Sequence, residues 1–253
     1  MSKQKNKERK GCYPDKVCLV LDLDDTLISN AYKYHAPMYK CALLVTKFLG
    51  VNSYHPRELI KRYDELDRSM VKKYSFQQER TGISWIKLLH QLIKERKMEV
   101  KKRHLRKVEK KIKRVSLEFK KGNFPFLSGV KKTLKQFSEN EKFYLVLLTV
   151  GDPKVQKKKI KKTKMARYFD EIIITENSKI KALKKLALKF GAVNTWMVGN
   201  SPHSDIGAAN KAGVKSVLIP RFTWNYELSD EAKPDFVFEK FFELLKLWEV
   251  NKK

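Results

Sequence analysis

The chain has 253 residues, long enough to bury a full hydrophobic core as one large domain or two smaller ones. No apolar run of about 18 residues or more occurs, so the sequence predicts no membrane-spanning helix. The net charge is +28, and most of the 56 basic residues are lysines rather than the arginines that usually read bases and phosphates. This composition favours a lysine-coated surface that attracts anions, with nucleic-acid binding as the less favoured alternative.

The N-terminal segment MSKQKNKERK is polar and basic, and no apolar segment follows it. It therefore predicts a solvated basic tail over residues 1–14 rather than a secretory signal. The three cysteines, Cys12, Cys18 and Cys41, lack metal-ligand spacing and are too few for a disulfide framework. We expect a protein of a reducing, cytoplasmic compartment.

The segment VCLVLDLDDTLIS, residues 17–29, is an apolar, strand-like run that leads into three closely spaced carboxylates, Asp22, Asp24 and Asp25. An ionised carboxylate in an apolar setting is costly unless a cation or hydrogen-bond donors compensate it. Neighbouring like charges raise that cost further. Either the segment is a surface turn, or a positive group lies beside it.

No strand is predicted between residues 30 and about 120, where apolar residues recur at helical spacing. The clearest amphipathic segments are SWIKLLHQLIKE, residues 84–95, and residues 105–119. We expect an all-helical insert over residues 30–119 that rejoins the rest of the chain through GNFPFLSGV. The densely basic segment 101–121 is consistent with a nucleic-acid patch, but we favour a cap helix with a packed apolar stripe and a solvated lysine face.

Short continuous apolar runs predict strands of a parallel sheet that is covered on both faces. These runs are residues 17–23, 143–150, 171–175, 195–199, 216–220 and 235–238. Helices between them are predicted to begin at Ser128, Asp152-Pro153 and Ser178 and to end at Gly191 and Gly213. The alternation predicts a three-layer α/β fold with a doubly wound, Rossmann-like parallel sheet and a site beyond the carboxyl ends of its strands.

Polar side chains follow four of these predicted strands. Asp22 closes the first strand, and Asp24 lies two residues on, where an extended chain presents both carboxylates to one face. The later strand ends contribute a hydroxyl, a lysine and a polar loop, in the order Thr149, Lys179, Asn200 and Asp205. Carboxylates suit Mg²⁺, and the lysine and hydroxyl suit a phosphoryl group.

These residues resemble the motifs of the haloacid dehalogenase-like hydrolase superfamily. The segments DLDDT, LLTVGD, NSK and VGNSPHSDI follow that family's order: DxDx(T/V), then Ser or Thr, then a lysine, then a GDxxxD-like loop. The resemblance covers residues 15–29 and 120–240. It implies a catalytic core over residues 15–29 and 120–253, with residues 30–119 as a helical cap of the C1 type.

The resemblance also implies roles for the candidates. Asp22 would be the nucleophile that forms an aspartyl-phosphate, and Asp24 the general acid and base. Mg²⁺ would be held by an Asp22 oxygen, the Asp24 backbone carbonyl and the acidic loop, and Thr149 and Lys179 would hold the phosphoryl oxygens. True dehalogenases of the superfamily lack an acid at the position of Asp24, so a phosphatase is implied.

One position departs from the pattern, because Asn200 stands where the family usually has Asp. Either its amide oxygen binds the metal more weakly, or Asp205 binds the metal, and some branches of the family do carry GNSxxSD. Lys181 and Lys184 are alternatives to Lys179 for the phosphoryl contact. His203 and the segment FTWNYE, residues 222–227, are weaker candidates, as an exposed spacer and a loop that packs near the site.

The sequence therefore predicts a Mg²⁺-dependent phosphohydrolase that cleaves a small phosphorylated metabolite. One alternative is a nucleic-acid-binding or polynucleotide-end phosphatase that uses the basic surface. The other is a catalytically impaired binding protein, because of Asn200.

Overall fold

Parallel strands form the centre of the molecule. The structure, a computed structural model, describes residues 13, 15–74, 77, 79–221, 223 and 227–248. In these residues six strands form one parallel sheet in the order β3-β2-β1-β4-β5-β6. The strands are β1 Val17–Leu21, β2 Phe143–Val150, β3 Glu171–Thr175, β4 Thr195–Gly199, β5 Lys215–Leu218 and β6 Phe236–Val237. The order reverses between β1 and β4, and ligands of doubly wound sheets bind at that reversal.

Helices fill the intervals between the strands. Four follow β1 directly: α1 Ala31–Leu49, α2 Pro56–Tyr74, α3 Arg80–Glu95 and α4 Lys102–Ser116. A fifth, α5 Val130–Ser138, precedes β2, and three more described helices lie between later strands: α6 Pro153–Thr163, α7 Ile180–Phe190 and α8 Ala208–Ala212. A π-helical turn, Pro202–Gly207, leads into α8, and short 3₁₀ segments cover Glu118–Lys120, Met165–Tyr168 and Phe241–Trp248.

The central strands β1, β2 and β4 are buried on both faces, whereas the edge strands β3 and β6 are partly or fully exposed, contrary to the prediction from their apolar runs. The alternation of β1 shows how the central strands are covered. Leu19 and Leu21 point into one apolar cluster with α5 and the segment Phe241–Trp248. Cys18 and Val20 point into the opposite cluster with α7 and α8. Because successive side chains of a strand face opposite sides, a strand covered on both sides must be apolar throughout. This arrangement confirms the predicted three-layer α/β fold.

Helices α1 to α4 share an apolar cluster of their own, apart from the two beside the sheet. At its centre Tyr63 stacks on Trp85 with ring centroids 4.5 Å apart. The basic helix α4 contributes Ile112 and Val115 to this cluster, while its lysines are exposed. Its apolar stripe is therefore used in packing within the helical layer.

The two chain crossings between this helical layer and the sheet layer run side by side. Ile28 pairs with Phe126 in an antiparallel bridge. The Ser29 N–H donates to the Pro125 carbonyl at 2.9 Å, and the Leu127 N–H donates to the Leu27 carbonyl at 3.0 Å. Paired crossings of this kind place the helices above the carboxyl end of β1.

Several predicted helix boundaries are found and one is wrong. Asp152 caps α6 by accepting from two backbone N–H groups, with Pro153 in the first turn, and α7 and α8 end at Gly191 and Gly213. The Ser178 hydroxyl accepts from the first N–H of α7 at 3.3 Å. Ser128 does not cap α5, because Gly129 occupies that place with a left-handed φ of 78° that favours glycine.

No helix among the described residues is long and apolar enough to span a membrane. The predicted basic tail, residues 1–14, lies outside the described residues except for Tyr13.

Candidate active site

The predicted site residues meet at the carboxyl end of the sheet, under the helical layer. A cavity of about 350 Å³ lies there, and all six candidates line it: Asp22, Asp24, Thr149, Lys179, Asn200 and Asp205. Helices α1, α2 and α3 supply the opposite wall, with side chains that include Tyr34, Asp64 and Arg80. The parallel strands bring the candidates together because their carboxyl ends lie at one edge of the sheet.

Lys179 lies between two carboxylates. Its Nζ is 2.5 Å from Asp22 Oδ1 and 2.5 Å from Asp205 Oδ1, and the lysine side chain is only 2% exposed. Burial alone would lower the pKa of Lys179, but Asp205 and Asp22 raise it above its ordinary value. Burial raises the pKa of Asp22 to about 7; Lys179 opposes this rise, and Asp205 adds to it. One ammonium thus compensates two buried carboxylates, and the compensation of Asp22 is incomplete.

A second group of oxygens gathers around Thr26. Its Oγ1 lies 3.2 Å from Asp22 Oδ2 and 3.1 Å from Asn200 Oδ1. A hydroxyl has one hydrogen, so Thr26 can donate to only one of these acceptors at a time. The Asp22 and Asn200 oxygens therefore lie on either side of one hydroxyl group.

Asp205 is held on both of its oxygens. Oδ1 accepts from Lys179, and Oδ2 accepts from the Ser201 N–H at 2.9 Å. The carboxylate lies against Gly199, where a Cβ would be 2.0 Å from Oδ2, so this approach needs glycine. Within the described residues no three His, Cys, Asp or Glu side chains are grouped as a metal site. Of the four predicted metal ligands, Asp22 and Asn200 both lie beside Thr26. All three carboxylates of the set, that of Asp22 included, contact a lysine.

Two residues that the sequence analysis did not single out hold Asp24. Lys159 Nζ lies 2.9 Å from Asp24 Oδ1 and 2.7 Å from Oδ2. Gln156 Nε2 lies 3.0 Å from the same Oδ2 and 2.7 Å from Thr149 Oγ1. Burial alone would lower the pKa of Lys159, but the Asp24 carboxylate raises it. Both residues stand in the run KVQKKKIKK, and the only sequence signal was their spacing on one face of a helix that starts at the site.

The third clustered acid, Asp25, has a structural position. Its Oδ1 accepts from the N–H groups of Asn30, at 2.8 Å, and Ala31, at 2.9 Å, where α1 begins. Burial raises the pKa of Asp25, and these backbone donors lower it in part. Its φ of 59° belongs to the tight turn that follows β1. Asp25 thus fixes the entry into the helical layer.

The remaining sequence candidates divide clearly. Lys181 and Lys184 are exposed, whereas Lys179 is in the site. His203 is exposed. Of the segment 222–227, Thr223 and Glu227 are described, and both line the cavity. The Glu227 carboxylate accepts from the Ser201 hydroxyl at 2.5 Å and from the Ser204 hydroxyl, and it therefore ties this segment to the loop after β4.

The wall opposite the sheet contains acids and bases of the helical layer. Arg80 pairs with Asp67 at 3.2 Å, and the Ser84 hydroxyl donates to Asp67 at 2.6 Å. Burial and the neighbouring carboxylates of Asp67 and Glu65 raise the pKa of Asp64 to about 6. This wall combines these charged groups with apolar and aromatic side chains of α1 and α2, and it would contact the part of a ligand that lies away from the sheet.

Sequence comparison identifies the class of protein to which the chain belongs. The family model described as "Haloacid dehalogenase-like hydrolase" matches residues 19–219. The chain belongs to this family, which confirms the resemblance seen in its motifs.

Individual relatives are more distant. The "Putative pyrophosphatase PpaX" of Caldanaerobacter subterraneus subsp. tengcongensis is 31% identical over 127 residues, or 47% of this chain and 56% of that protein. The match thus spans little more than half of that relative's length.

Solved structures show the same fold at low identity. A haloacid dehalogenase-like hydrolase from Xanthomonas campestris has a TM-score of 0.63 at 18% identity, with 85% of this chain and 84% of that chain covered. A "predicted phosphoglycolate phosphatase" from Haemophilus somnus 129PT has a TM-score of 0.60 at 16% identity, with 92% and 98% covered. The "putative HAD-hydrolase YfnB" from Bacillus subtilis, bound to magnesium, has a TM-score of 0.57 at 16% identity, with 95% and 100% covered.

Proposed function

We propose that the protein is a Mg²⁺-dependent phosphohydrolase that cleaves a small phosphomonoester through an aspartyl-phosphate on Asp22. The observation that carries this proposal is the second carboxylate, Asp24, which lines the same cavity as Asp22. An alkoxide leaving group needs a proton, whereas a halide does not, so an acid at this place favours phosphate-ester cleavage over dehalogenation.

The side chains of the cavity account for the chemical steps. Asp22 attacks phosphorus while Asp24 gives a proton to the leaving oxygen, and Asp24 then takes a proton from the water that hydrolyses the intermediate. Lys179 and Thr149 donate to phosphoryl oxygens. The Thr149 hydroxyl accepts from Gln156, which leaves its own hydrogen as the donor.

The side-chain oxygen atoms around Thr26 suit a magnesium ion. We assign the metal to the side-chain oxygens of Asp22 and Asn200 and the backbone carbonyl of Asp24, because Mg²⁺ prefers oxygen ligands and the two side-chain oxygens share one hydroxyl neighbour. Asp205, a predicted ligand, is assigned instead to holding Lys179. When bound, the ion supplies positive charge that offsets the carboxylates and the phosphoryl group.

The size of the cavity supports a small substrate. A volume of about 350 Å³ lies at the low end of the range for small-molecule sites, and the helical layer covers it. The names of two relatives, a pyrophosphatase and a phosphoglycolate phosphatase, also concern small phosphorylated compounds. The exposed lysines of α4 are compatible with the alternative, a phosphatase of polynucleotide ends, but they lie on a helix whose apolar stripe is packed in the helical layer. A reducing, cytoplasmic compartment belongs to the same proposal, since Cys18 and Cys41 are free and buried.

A screen of phosphorylated metabolites tests this proposal. Sugar phosphates, nucleotides and phosphoglycolate are incubated with the protein and Mg²⁺, and released phosphate is measured with and without EDTA. A 2-haloacid is run in parallel for halide release. We expect Mg²⁺-dependent phosphate release from at least one small ester and no halide. Halide release would contradict the proposal, and no turnover of any ester would favour a catalytically impaired binding protein.

A further inference from the structure

A buried lysine outside the known motifs, Lys159, contacts the proposed proton donor. It comes from α6, and both of its hydrogen bonds to the Asp24 carboxylate are shorter than 3.0 Å, at 2.9 and 2.7 Å. The Lys159 side chain is 1% exposed, and that of Asp24 is 23% exposed toward the cavity. An ammonium is rarely buried this deeply unless its geometry is fixed by a partner, which distinguishes the pair from an exposed ion pair.

Gln156 completes the contact from the same face of α6. It lies three residues before Lys159, a spacing that places both side chains on one side of a helix. Its Nε2 contacts Asp24 Oδ2 and Thr149 Oγ1, and the side chain is buried. The start of α6 is fixed by the Asp152 cap, directly after β2. Gln156 therefore links Asp24 to Thr149 at the end of β2.

The two oxygens of Asp24 are used unequally. Oδ2 accepts from both Lys159 and Gln156, whereas Oδ1 accepts from Lys159. Each carboxylate oxygen has two lone-pair sites, so Oδ1 keeps one for a further partner. We propose that Lys159 and Gln156 are positioning residues that orient Asp24 so that Oδ1 carries the transferred proton. This inference rests on the proposed phosphatase function.

The bonds balance in both halves of the reaction. In the first half, Oδ1 gives its proton to the leaving oxygen as the phosphorus–oxygen bond breaks and Asp22 bonds to phosphorus, and the alcohol departs. In the second half, Oδ1 takes a proton from water as the water oxygen bonds to phosphorus and the bond to Asp22 breaks, which releases phosphate. A nitrophenolate leaves without a proton, so the first transfer matters only for poor leaving groups.

The test compares an alkyl phosphate with 2,4-dinitrophenyl phosphate in the presence of Mg²⁺. Lys159→Met should lower kcat/KM for the alkyl ester by about 10- to 100-fold and for the dinitrophenyl ester by less than about threefold. The comparison uses kcat/KM because this ratio covers only the steps up to formation of the aspartyl-phosphate, whereas kcat also contains its hydrolysis, in which Asp24 acts on the same intermediate for both esters. Lys159→Arg should recover most of the alkyl activity. Lys161→Met removes the same charge from an exposed position on the same helix and should leave both rates unchanged.

Two further measurements separate positioning from other roles. Competitive inhibition by vanadate should be unchanged in Lys159→Met, because a positioning residue does not hold the phosphoryl group. Gln156→Leu should also lower hydrolysis of the alkyl ester more than that of the dinitrophenyl ester, but by a smaller factor. If Lys159→Met does not fold, Gln156→Leu provides the test of the positioning role.

The outcomes that overturn the inference are distinct from failure of the proposed function. Equal losses of kcat/KM on both esters in a folded variant, or vanadate inhibition weakened about tenfold, would overturn the positioning role alone. A wild-type protein that cleaves neither ester with Mg²⁺ would overturn the proposed function and this inference with it.

Discussion

Carboxylates outnumber ammonium groups around the cavity floor. Asp22, Asp24 and Asp205 share the two lysines Lys159 and Lys179. Asp22 shares the ammonium of Lys179 with Asp205. Burial therefore raises the pKa of Asp22 to about 7 although Lys179 opposes the rise. A site with this excess of negative charge attracts a divalent cation. The clustered acids of the sequence segment DLDDT are thus explained partly by two lysines and partly by the proposed Mg²⁺.

At the scale of single residues, Asn200→Asp tests the proposed ligand set. The added charge should tighten Mg²⁺ binding, so the midpoint of a Mg²⁺ titration should fall by about three- to tenfold. In EDTA the variant should melt at a lower temperature than the wild type, because another carboxylate is buried without a counter-ion.

Thermal melts with and without Mg²⁺ provide a measurement that does not depend on turnover. The ion should raise the Tm of Asn200→Asp more than that of the wild type, as expected for a tighter ligand of the native state. Coincident midpoints and equal Tm shifts would show that Asn200 does not bind the metal.

At the scale of secondary structure, the strands and the helical insert could be predicted from sequence, whereas the contacts of α6 could not. The central strands are continuous apolar runs, and the insert has clear helical periodicity, so local pattern was enough. In KVQKKKIKK the lysines are alike in sequence. The rotation of α6 about its own axis decides which lysine faces the site: Lys159 points inward to Asp24, and Lys161 is exposed. Sequence spacing likewise does not show that Lys179 and Ser201 contact Asp205.

Helix α2 gives a pH-dependent prediction. Burial and two neighbouring carboxylates raise the pKa of Asp64 to about 6. The native state therefore binds a proton more tightly than the unfolded state, and stability falls as pH rises from about 4 to about 6. Asp64→Asn removes this dependence, so its Tm should match the wild type near pH 4 and exceed it by about 2–4 °C above pH 6.5.

A matched control distinguishes this effect from a general loss of acidic charge. Glu141→Gln changes the same charge at an exposed position in the turn before β2 and should leave the Tm difference flat across pH. A Tm gain for Asp64→Asn that is equally large at pH 4 would contradict a raised pKa of the Asp64 carboxyl group.

At the scale of the whole molecule, the net charge of +28 is far larger than a small, covered cavity needs for binding one phosphate ester. The lysines of α4 are exposed, and its apolar residues pack in the helical layer. A positive surface of this kind should guide a dianionic ester to the site and affect kcat/KM more than kcat.

Salt dependence separates this role from nucleic-acid binding. We expect only a mild fall in kcat/KM for a small ester between about 50 and 200 mM salt, whereas a protein that neutralises many nucleic-acid phosphates would lose affinity by orders of magnitude. Replacing Lys102, Lys110 and Lys113 by Glu should leave kcat within about twofold of the wild type.

The same charge reversal on α5, at the exposed Lys131, Lys132 and Lys135, is the control. Both sets should lower kcat/KM to a similar, small extent. Submicromolar binding of single- or double-stranded nucleic acid that is lost only with the α4 set would establish the alternative function.

The central claim is that Asp22 is the nucleophile, and the most direct measurement is phosphate release by Asp22→Asn from an aryl phosphate in Mg²⁺. We predict a loss of more than about a thousandfold in kcat. The variant should still unfold cooperatively, because Lys179 keeps Asp205 as its partner. In metal-free buffer at neutral pH its Tm should equal or exceed that of the wild type, since a carboxylate whose pKa is raised by burial has been removed. Hydrolysis retained at a substantial fraction of the wild-type rate would contradict the account.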